Sequence, residues 1–170
     1  MEALHFSHPK EIQGYPISRY CKVMATDFWE SQGVIMTNYL SKGSTVTGAY
    51  YANELRELRE ALKSKRRGKL RRGVLLLHDN APAHTAGVPA SVAAECGYVL
   101  LPHPPYSPGL APSDFYLFLL LKEHLRDRQY ASDNDIIQPV NDVIALKFKE
   151  ICRKIDWLVF LYYVYVYIRP

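Results

Sequence analysis

The feature that most constrains the fold is a short apolar run at residues 73–79, GVLLLHD, which is followed by Asn80, Ala81 and Pro82. An apolar run of this length, without polar alternation, is typical of a strand buried on both faces. The proline three residues after the acid does not fit a continuing central strand. The run therefore predicts an inner strand that ends at Asp79 and then turns sharply.

The flanking segments predict an α/β chain. Residues 22–29 and 33–40 are rich in strand formers, and the ESQG between them predicts a hairpin turn. Residues 44–65 change to a helical period with a possible threonine N-cap. A short helix over 91–97, a buried strand over 98–102 and a helix over 113–126 follow. This order predicts a mixed sheet flanked by helices. The apolar face of the first helix is formed by Tyr51, Leu55, Leu58 and Leu62, and Thr45 or Thr47 is its candidate N-cap. Ser113 is the candidate N-cap of the last of these helices.

The C-terminal segment, DWLVFLYYVYVYIRP, is apolar and aromatic over 157–168. It is shorter than the roughly 20 apolar residues of a membrane-spanning helix. Its β-branched and tyrosine content predicts a strand, and an exposed strand of this kind favours aggregation. We interpret it as a buried edge or an out-of-frame tail rather than a membrane anchor. We expect an irregular segment over 1–21, a domain over 22–142 and a divergent aromatic-rich tail over 143–170.

A dense basic run, KSKRRGKLRRG, follows the first predicted helix, in a chain of net charge +4. Such a run fits contacts to a phosphate backbone, and it fits equally a solvated helix end favoured by the helix dipole. The candidate DNA-binding residues are Lys63, Lys65, Arg66, Arg67, Lys69, Arg71 and Arg72.

The three cysteines form no CxxC pair, which argues against a zinc site and a disulfide framework and fits a reducing compartment.

Two aspartates are the candidate catalytic and metal-binding residues. Asp79 ends one inner strand, and Asp114 lies in the first turn of the helix after the next strand. Carboxylates brought together at one sheet edge repel each other, and Mg²⁺ or Mn²⁺ would remove that conflict. Either residue alone has a structural interpretation, as a turn former or a favourable charge at a helix N-terminus. His78 and His84 lack zinc spacing and are interpreted as packing or hydrogen-bonding residues.

Two longer strings, HDNAPAHTA and LPHPPYSPGLAPSDFYLF, resemble the catalytic domain of mariner-type transposases. The resemblance extends over residues 22–137. It implies an RNase H-like fold in which three aspartates bind two metal ions, and a metal-dependent activity that cuts and joins transposon DNA. The family's second and third aspartates have 34 residues between them, and Asp79 and Asp114 have the same spacing.

The sequence also departs from the family pattern. The family's first catalytic aspartate lies on an earlier, central strand that is missing here, and Asp27 does not match it. The family's helix-turn-helix DNA-binding region is also not found. Gly109 replaces an aspartate, Gly87 and Pro89 interrupt a helix that is usually continuous, and from Val143 onward the pattern is lost. Without the central strand, two neighbouring strands lose hydrogen-bond partners, and whether the tail or residues 1–20 fill the gap is open.

These features predict a truncated transposase fragment that is inactive because only two of three carboxylates remain. The alternatives are a domesticated, non-catalytic DNA-binding or protein-interaction module, and a non-functional pseudogene product. The resemblance implies Mg²⁺ or Mn²⁺ as cofactor, DNA as partner, a possible homodimer and a nuclear location, without a membrane partner.

Overall fold

A computed structural model describes residues 23–104, 117–125, 130, 132–154 and 161–168. It begins with the expected hairpin, in which β1 (Val23–Glu30) and β2 (Gly33–Leu40) pair antiparallel. The pairing runs from Met24 opposite Leu40 to Glu30 opposite Gly33. The predicted ESQG turn is confirmed, and Gly33 adopts a φ of 125° that other residues rarely reach.

Helix α1 (Gly48–Lys65) confirms the predicted apolar stripe, because Tyr51, Leu55, Leu58 and Leu62 are all buried. Thr47 is its N-cap, and the Thr47 hydroxyl accepts a hydrogen bond from the Tyr50 backbone N–H at 3.2 Å. A short 3₁₀ turn, Leu70–Arg72, then leads into the next strand. The side-chain period alone therefore predicted which face of this helix enters the core.

The central part of the chain alternates strands and helices as expected. Strand β3 (Val74–Leu77) is followed by α2 (Pro82–Thr85), α3 (Gly87–Cys96) and β4 (Tyr98–Leu100). β3 and β4 pair parallel. Helix α3 ends on Gly97, which is left-handed at a φ of 82°. Helix α3 begins four residues before the predicted start at 91 and includes Gly87 and Pro89 in its first turn. The break in the helical segment lies one residue earlier, at Ala86, whose backbone is extended between α2 and α3.

Helices α4 (Phe118–Leu125) and α5 (Asp133–Lys154) precede the last strand, β5 (Leu161–Ile168). Helix α5 runs through the boundary expected between residues 142 and 143. None of the helices in the described part of the chain is long and apolar enough to cross a membrane. The predicted N-cap Ser113 and the predicted start of α4 lie outside the described residues.

The C-terminal strand fills the centre of the sheet. The sheet order is β2-β1-β5-β3-β4, so β5 lies between the hairpin and the two parallel strands. It pairs antiparallel with β1 over seven positions and parallel with β3 over two. The predicted strand character of the tail is confirmed. The position between the hairpin and the parallel pair, for which the sequence left the tail and residues 1–20 as open alternatives, is thus occupied by a strand of the tail.

Each face of the sheet is covered by its own pair of helices. On one side Phe28 and Ile35 pack with buried residues of α1 and α3, which defines the α1/α3 face. On the other side Ala25 and Trp29 pack with buried residues of α4 and α5, which defines the α4/α5 face. This two-sided burial explains why β1 is buried at almost every position rather than at alternate ones.

Candidate functional site

Asp79 lies two residues beyond the last residue of β3, at the carboxyl end of the strand, as the sequence predicted. One carboxylate oxygen, Oδ1, accepts a hydrogen bond from the Ala81 backbone N–H at 3.0 Å and lies 2.6 Å from Nδ1 of His84. The side chain is 63% exposed, whereas the His84 side chain is fully buried. Asp79 is therefore held by one oxygen and faces solvent at the open end of the sheet.

A cluster of aromatic and imidazole rings packs against this turn. The Tyr51 hydroxyl of α1 lies 3.0 Å from His78 Nδ1, and the rings of His78 and His84 stack with centroids 5.4 Å apart. The His84 ring also lies 4.4 Å from the Tyr51 ring. The interpretation of both histidines as packing and hydrogen-bonding residues agrees with these contacts. Sequence reasoning did not find the link between His84 and Asp79, whose only signal was their five-residue separation across a proline turn.

The surroundings favour a charged Asp79 beside a neutral His78. The hydrogen bond from His84 lowers the pKa of Asp79, the Ala81 N–H contributes in the same direction, and burial opposes both. Burial lowers the pKa of His78 to about 4, and the neighbouring His84 adds to that effect. The edge of the sheet therefore presents a carboxylate at neutral pH, with a fixed geometry.

The described residues do not assemble a complete metal site around Asp79. Among them, no group of three or more histidine, cysteine, aspartate or glutamate side chains is placed to hold a metal ion. Asp114, the other predicted ligand, lies outside the described residues. The central strand β5, LYYVYVYI, contains no acidic residue. One carboxylate with one engaged oxygen does not fit a pair of divalent ions, which needs several oxygen ligands.

Asp27 is an acid on the other side of the central strand. It is fully buried on β1, and its Oδ1 accepts a hydrogen bond from the Thr37 hydroxyl at 2.5 Å. Its Oδ2 has no hydrogen-bond partner in the described part of the chain. Burial raises the pKa of Asp27 to about 6, although the Thr37 bond acts in the opposite direction. The structure thus keeps this carboxyl buried in the sheet, whereas the Asp79 side chain is exposed to solvent.

The basic segment, residues 63–72, divides into two groups. Arg66 and Lys69 form ion pairs with the buried Glu30 at the end of β1, with Arg66 Nε 2.6 Å from Glu30 Oε1. Lys65 donates to the Ile35 carbonyl at 2.7 Å, and Lys63 pairs with the exposed Glu60. These four cations therefore fasten the end of α1 to the hairpin or stay on the helix surface.

The remaining cations of the segment are Arg67, Arg71 and Arg72. All three are exposed, and within the described residues none forms an ion pair. Gly68 and Gly73, with φ of 84° and 81°, turn the backbone between and after them. Burial lowers the pKa of Lys69, which accords with its turning inward toward Glu30. The outward cations are those available to an anionic partner.

Comparison with known proteins places this fold in a family. A family model described as "Transposase (partial DDE domain)" matches residues 7–72. The chain is 37% identical to the human histone-lysine N-methyltransferase SETMAR over 71% of the chain and 18% of that protein. It is 36% identical to the mariner Mos1 transposase of Drosophila mauritiana over 76% of the chain and 38% of that protein. The chain thus spans well under half of either relative.

Solved structures of the same relative also match this chain. The crystal structure of the catalytic domain of Mos1 mariner transposase matches with a TM-score of 0.72 and 33% identity, over 78% of this chain and 68% of that one. Other matches hold that catalytic domain with Mg or Mn, and Mos1 transposase in a paired-end complex with the left transposon end.

The fold and the strand-end carboxylate define the class: an RNase H-like domain of the DDE/D transposase type. Within that class the chain belongs to the mariner transposase family and corresponds to its catalytic domain.

Proposed function

We propose that this chain is a mariner transposase catalytic domain that binds DNA through its basic segment without cutting it. The observation that carries the proposal is the identity of the central strand. β5 lies between the Asp27 strand and the Asp79 strand and contributes no carboxylate to the sheet edge. Phosphodiester chemistry of the two-metal kind requires several carboxylates around the ions, and Asp79 has none beside it on this strand.

The proposed binding mode is electrostatic. Arg67, Arg71 and Arg72 extend from a turn that the Glu30 ion pairs hold against the hairpin. Exposed arginines on a fixed turn are suited to phosphate oxygens, which they contact without reading base sequence. Neutralising about three phosphates gives a slope of log affinity against log salt of roughly −3. The Mos1 complex with a transposon end supports DNA as the partner class.

The test uses the full chain on duplex DNA with and without terminal inverted repeats, in Mg²⁺ and in Mn²⁺. We expect no cleavage of either DNA, and binding that weakens steeply between 50 and 200 mM salt. Cleavage that disappears in Asp79→Ala would refute the proposed inactivity. Binding that is indifferent to salt would refute the proposed electrostatic mode.

A charge-matched pair of variants locates the binding surface. Arg71→Gln with Arg72→Gln removes two of the outward cations, whereas Lys42→Gln with Lys122→Gln removes two exposed cations elsewhere. We expect the first pair to reduce the salt slope by about 2 and the second to leave it nearly unchanged. If both pairs of substitutions reduced the salt slope equally, the net charge of the chain, and not this segment, would determine binding.

A DNA-binding role also implies where the protein works and how it assembles. We propose a nuclear location, since chromosomal DNA is there, and a homodimer, since Mos1 transposase forms a paired-end complex. Imaging of a fluorescent fusion and light scattering of the purified chain test these two points. A cytosolic signal or a strictly monomeric mass at all concentrations would contradict them.

A further inference from the structure

The basic segment and the residues after it repeat one five-residue pattern, RRGKL at 66–70 and RRGVL at 71–75. In each copy the second arginine, Arg67 or Arg72, is followed directly by a glycine, and the chain has no other Arg-Gly step. The arginine and the glycine of both steps are exposed. The repeat therefore presents two Arg-Gly steps at the surface of the protein.

The first Arg-Gly step forms the tip of a turn. The Lys69 backbone N–H donates to the Arg66 carbonyl at 3.1 Å, which makes Arg67 and Gly68 the two central residues of a four-residue turn. Gly68 has a φ of 84°, a conformation for which glycine is favoured at the second central position. Arg67 thus projects from a short, closed loop and not from a helix or strand.

The second Arg-Gly step ends the 3₁₀ turn Leu70–Arg72. The Gly73 N–H donates to the Leu70 carbonyl at 3.3 Å, and Gly73 has a φ of 81°. A Cβ on Gly68 or on Gly73 would meet no atom of the described residues within 4 Å. Both turns therefore leave open the space beside the arginine.

Two further arginines of the segment provide internal comparisons. Arg66 is held by Glu30 and donates to the Gln32 carbonyl at 3.1 Å. Arg71 is exposed, but Arg72 follows it in place of a glycine. One comparison therefore lacks a free side chain, and the other lacks the glycine.

We propose that Arg67 and Arg72 are sites of arginine methylation by a transferase that recognises exposed Arg-Gly steps. Such an enzyme draws the guanidinium group into a narrow pocket, which requires a free side chain and an unobstructed backbone beside it. Exposed loop tips of small or polar residues are the segments that modifying enzymes reach most readily.

The transfer uses the sulfonium methyl donor S-adenosylmethionine. Its S–CH₃ bond breaks as a bond forms from the methyl carbon to a guanidinium nitrogen. The sulfonium becomes a neutral thioether, and the nitrogen releases one proton to a base of the transferase. The methylated guanidinium keeps its positive charge.

The consequence for DNA rests on the proposed DNA binding by this segment. Methylation blocks bidentate hydrogen bonding to phosphate but leaves the charge in place. The salt dependence of binding follows the number of phosphates neutralised, so it should not change. Methylation would therefore weaken contact at a given salt concentration without altering the electrostatic attraction.

The test maps methylation of the folded full chain. The chain is incubated with a recombinant arginine methyltransferase specific for Arg-Gly sequences and with S-adenosylmethionine carrying a labelled methyl group, and peptide mapping locates the label. We expect label on Arg67 and Arg72. We expect none on Arg66 and little on Arg71. A chain that is folded by circular dichroism and takes up no label, or takes up as much on Arg71, overturns the proposal.

Gly68→Asn tests the role of the glycine within one molecule. Asparagine tolerates the left-handed backbone, and its Cβ has room in the described structure, so the fold should be kept. Its side chain enters the space beside Arg67, whereas the step at Arg72 is unchanged. We expect label on Arg67, relative to Arg72, to fall on the order of tenfold. An unchanged ratio overturns the proposal.

Binding of duplex DNA is then compared among the methylated chain, the untreated chain and Arg67→Gln with Arg72→Gln. We expect methylation to weaken binding roughly two- to tenfold with an unchanged salt slope, and the glutamine pair to reduce the slope by about 2. A methylated chain that binds as tightly as the untreated one overturns the proposed effect on DNA. An untreated chain that binds no DNA refutes the proposed function instead, while label on Arg67 and Arg72 would still establish the modification.

Discussion

At the scale of single residues, two aspartates show how position in the sheet sets the behaviour of the same side chain. Asp27 is fully buried, with one oxygen bound to Thr37 and the other without a partner in the described part of the chain. Asp79, at the sheet edge, is 63% exposed and is held by His84 and the Ala81 N–H. Burial raises the pKa of Asp27 to about 6, and the hydrogen bond from His84 lowers that of Asp79. The charge of Asp27 is thus a cost of folding, whereas the charge of Asp79 is stabilised.

Asp27→Asn should stabilise the protein at neutral pH. The folded pKa of Asp27, about 6, exceeds the usual 3.8, so its contribution to stability is fully present below pH 3.8 and is lost as the pH rises through 6. The loss at pH 8 is at most about 3 kcal/mol, and the amide oxygen can still accept the Thr37 bond. We expect the melting temperature to rise at pH 8 and to change little at pH 4.5. Asp142→Asn, on an exposed part of α5, is the control. An Asp27→Asn protein less stable than the wild type at pH 8 would contradict a raised pKa of Asp27 in the folded state.

Asp79→Ala should destabilise the fold even though the residue is exposed. The substitution removes the acceptor of the Ala81 N–H and of the buried His84, at a cost of about 1–3 kcal/mol. Asp79→Asn, which keeps an acceptor oxygen, should cost less. Chemical denaturation at pH 7 measures both. If both variants were as stable as the wild type, Asp79 would have no structural role in this turn.

At the scale of elements, Glu30 joins two parts of the chain that are adjacent only in three dimensions. It lies buried at the end of β1 and forms ion pairs with Arg66 and Lys69 from the segment after α1. Arg66 also donates to the Gln32 carbonyl at 3.1 Å, which ties the hairpin turn to the same side chain. The position of the basic segment is therefore set by an interior carboxylate and not by helix capping alone.

Glu30→Gln should release this connection. Breaking a buried ion pair leaves two partly buried cations without a charge partner, and we expect a loss on the order of 2 kcal/mol. Glu60→Gln provides the contrast, because the Lys63–Glu60 pair is exposed and should be worth less than about 0.5 kcal/mol. Denaturant midpoints compare the two variants. A larger effect for Glu60→Gln would show that Glu30 does not hold the segment in place.

At the scale of the whole molecule, the sheet is one unit only because β5 connects its two halves. The antiparallel hairpin and the parallel β3–β4 pair have no direct pairing with each other in the sheet order. β5 pairs with β1 over seven positions and with β3 over two, so the seam with β3 is the shorter. An apolar strand that would favour aggregation when exposed is thereby placed where both of its edges have neighbours.

Disruption of β5 should therefore remove cooperative unfolding of the whole chain. Tyr165→Pro deletes a backbone N–H and fixes φ near −65° in a central strand, where proline is essentially not found. We expect the wild type to unfold in one thermal transition by circular dichroism and the variant to lose it. Tyr165→Thr, which keeps the N–H and a strand-forming side chain, should retain it. Unfolding of the wild type without a transition would instead favour a fragment that does not fold stably.

The sequence by itself determined the local elements, because their signals act over a few residues. Side-chain period and backbone preference account for the hairpin turn, the apolar stripe on α1, a threonine cap at its start, the end of α3 at Gly97 and the strand character of residues 161–168. The structure then selected Thr47 over Thr45 as that cap. The resemblance of the strings HDNAPAHTA and LPHPPYSPGLAPSDFYLF also sufficed to identify the family. Asp79 at the end of β3 was predictable for the same reason, since an apolar run and a proline turn bracket it.

Only the tertiary structure decided where the tail belongs and what that does to the site. Strand pairing between Val23–Glu30 and Leu161–Ile168 joins segments more than 130 residues apart, and an uncharged alternating strand fits several partners equally well by sequence. The links from His84 to Asp79 and from Glu30 to Arg66 depend on the same packing. The physical reason is that local periodicity specifies which face of a segment is buried, whereas the partner that buries it is selected by the competition of all segments for the core.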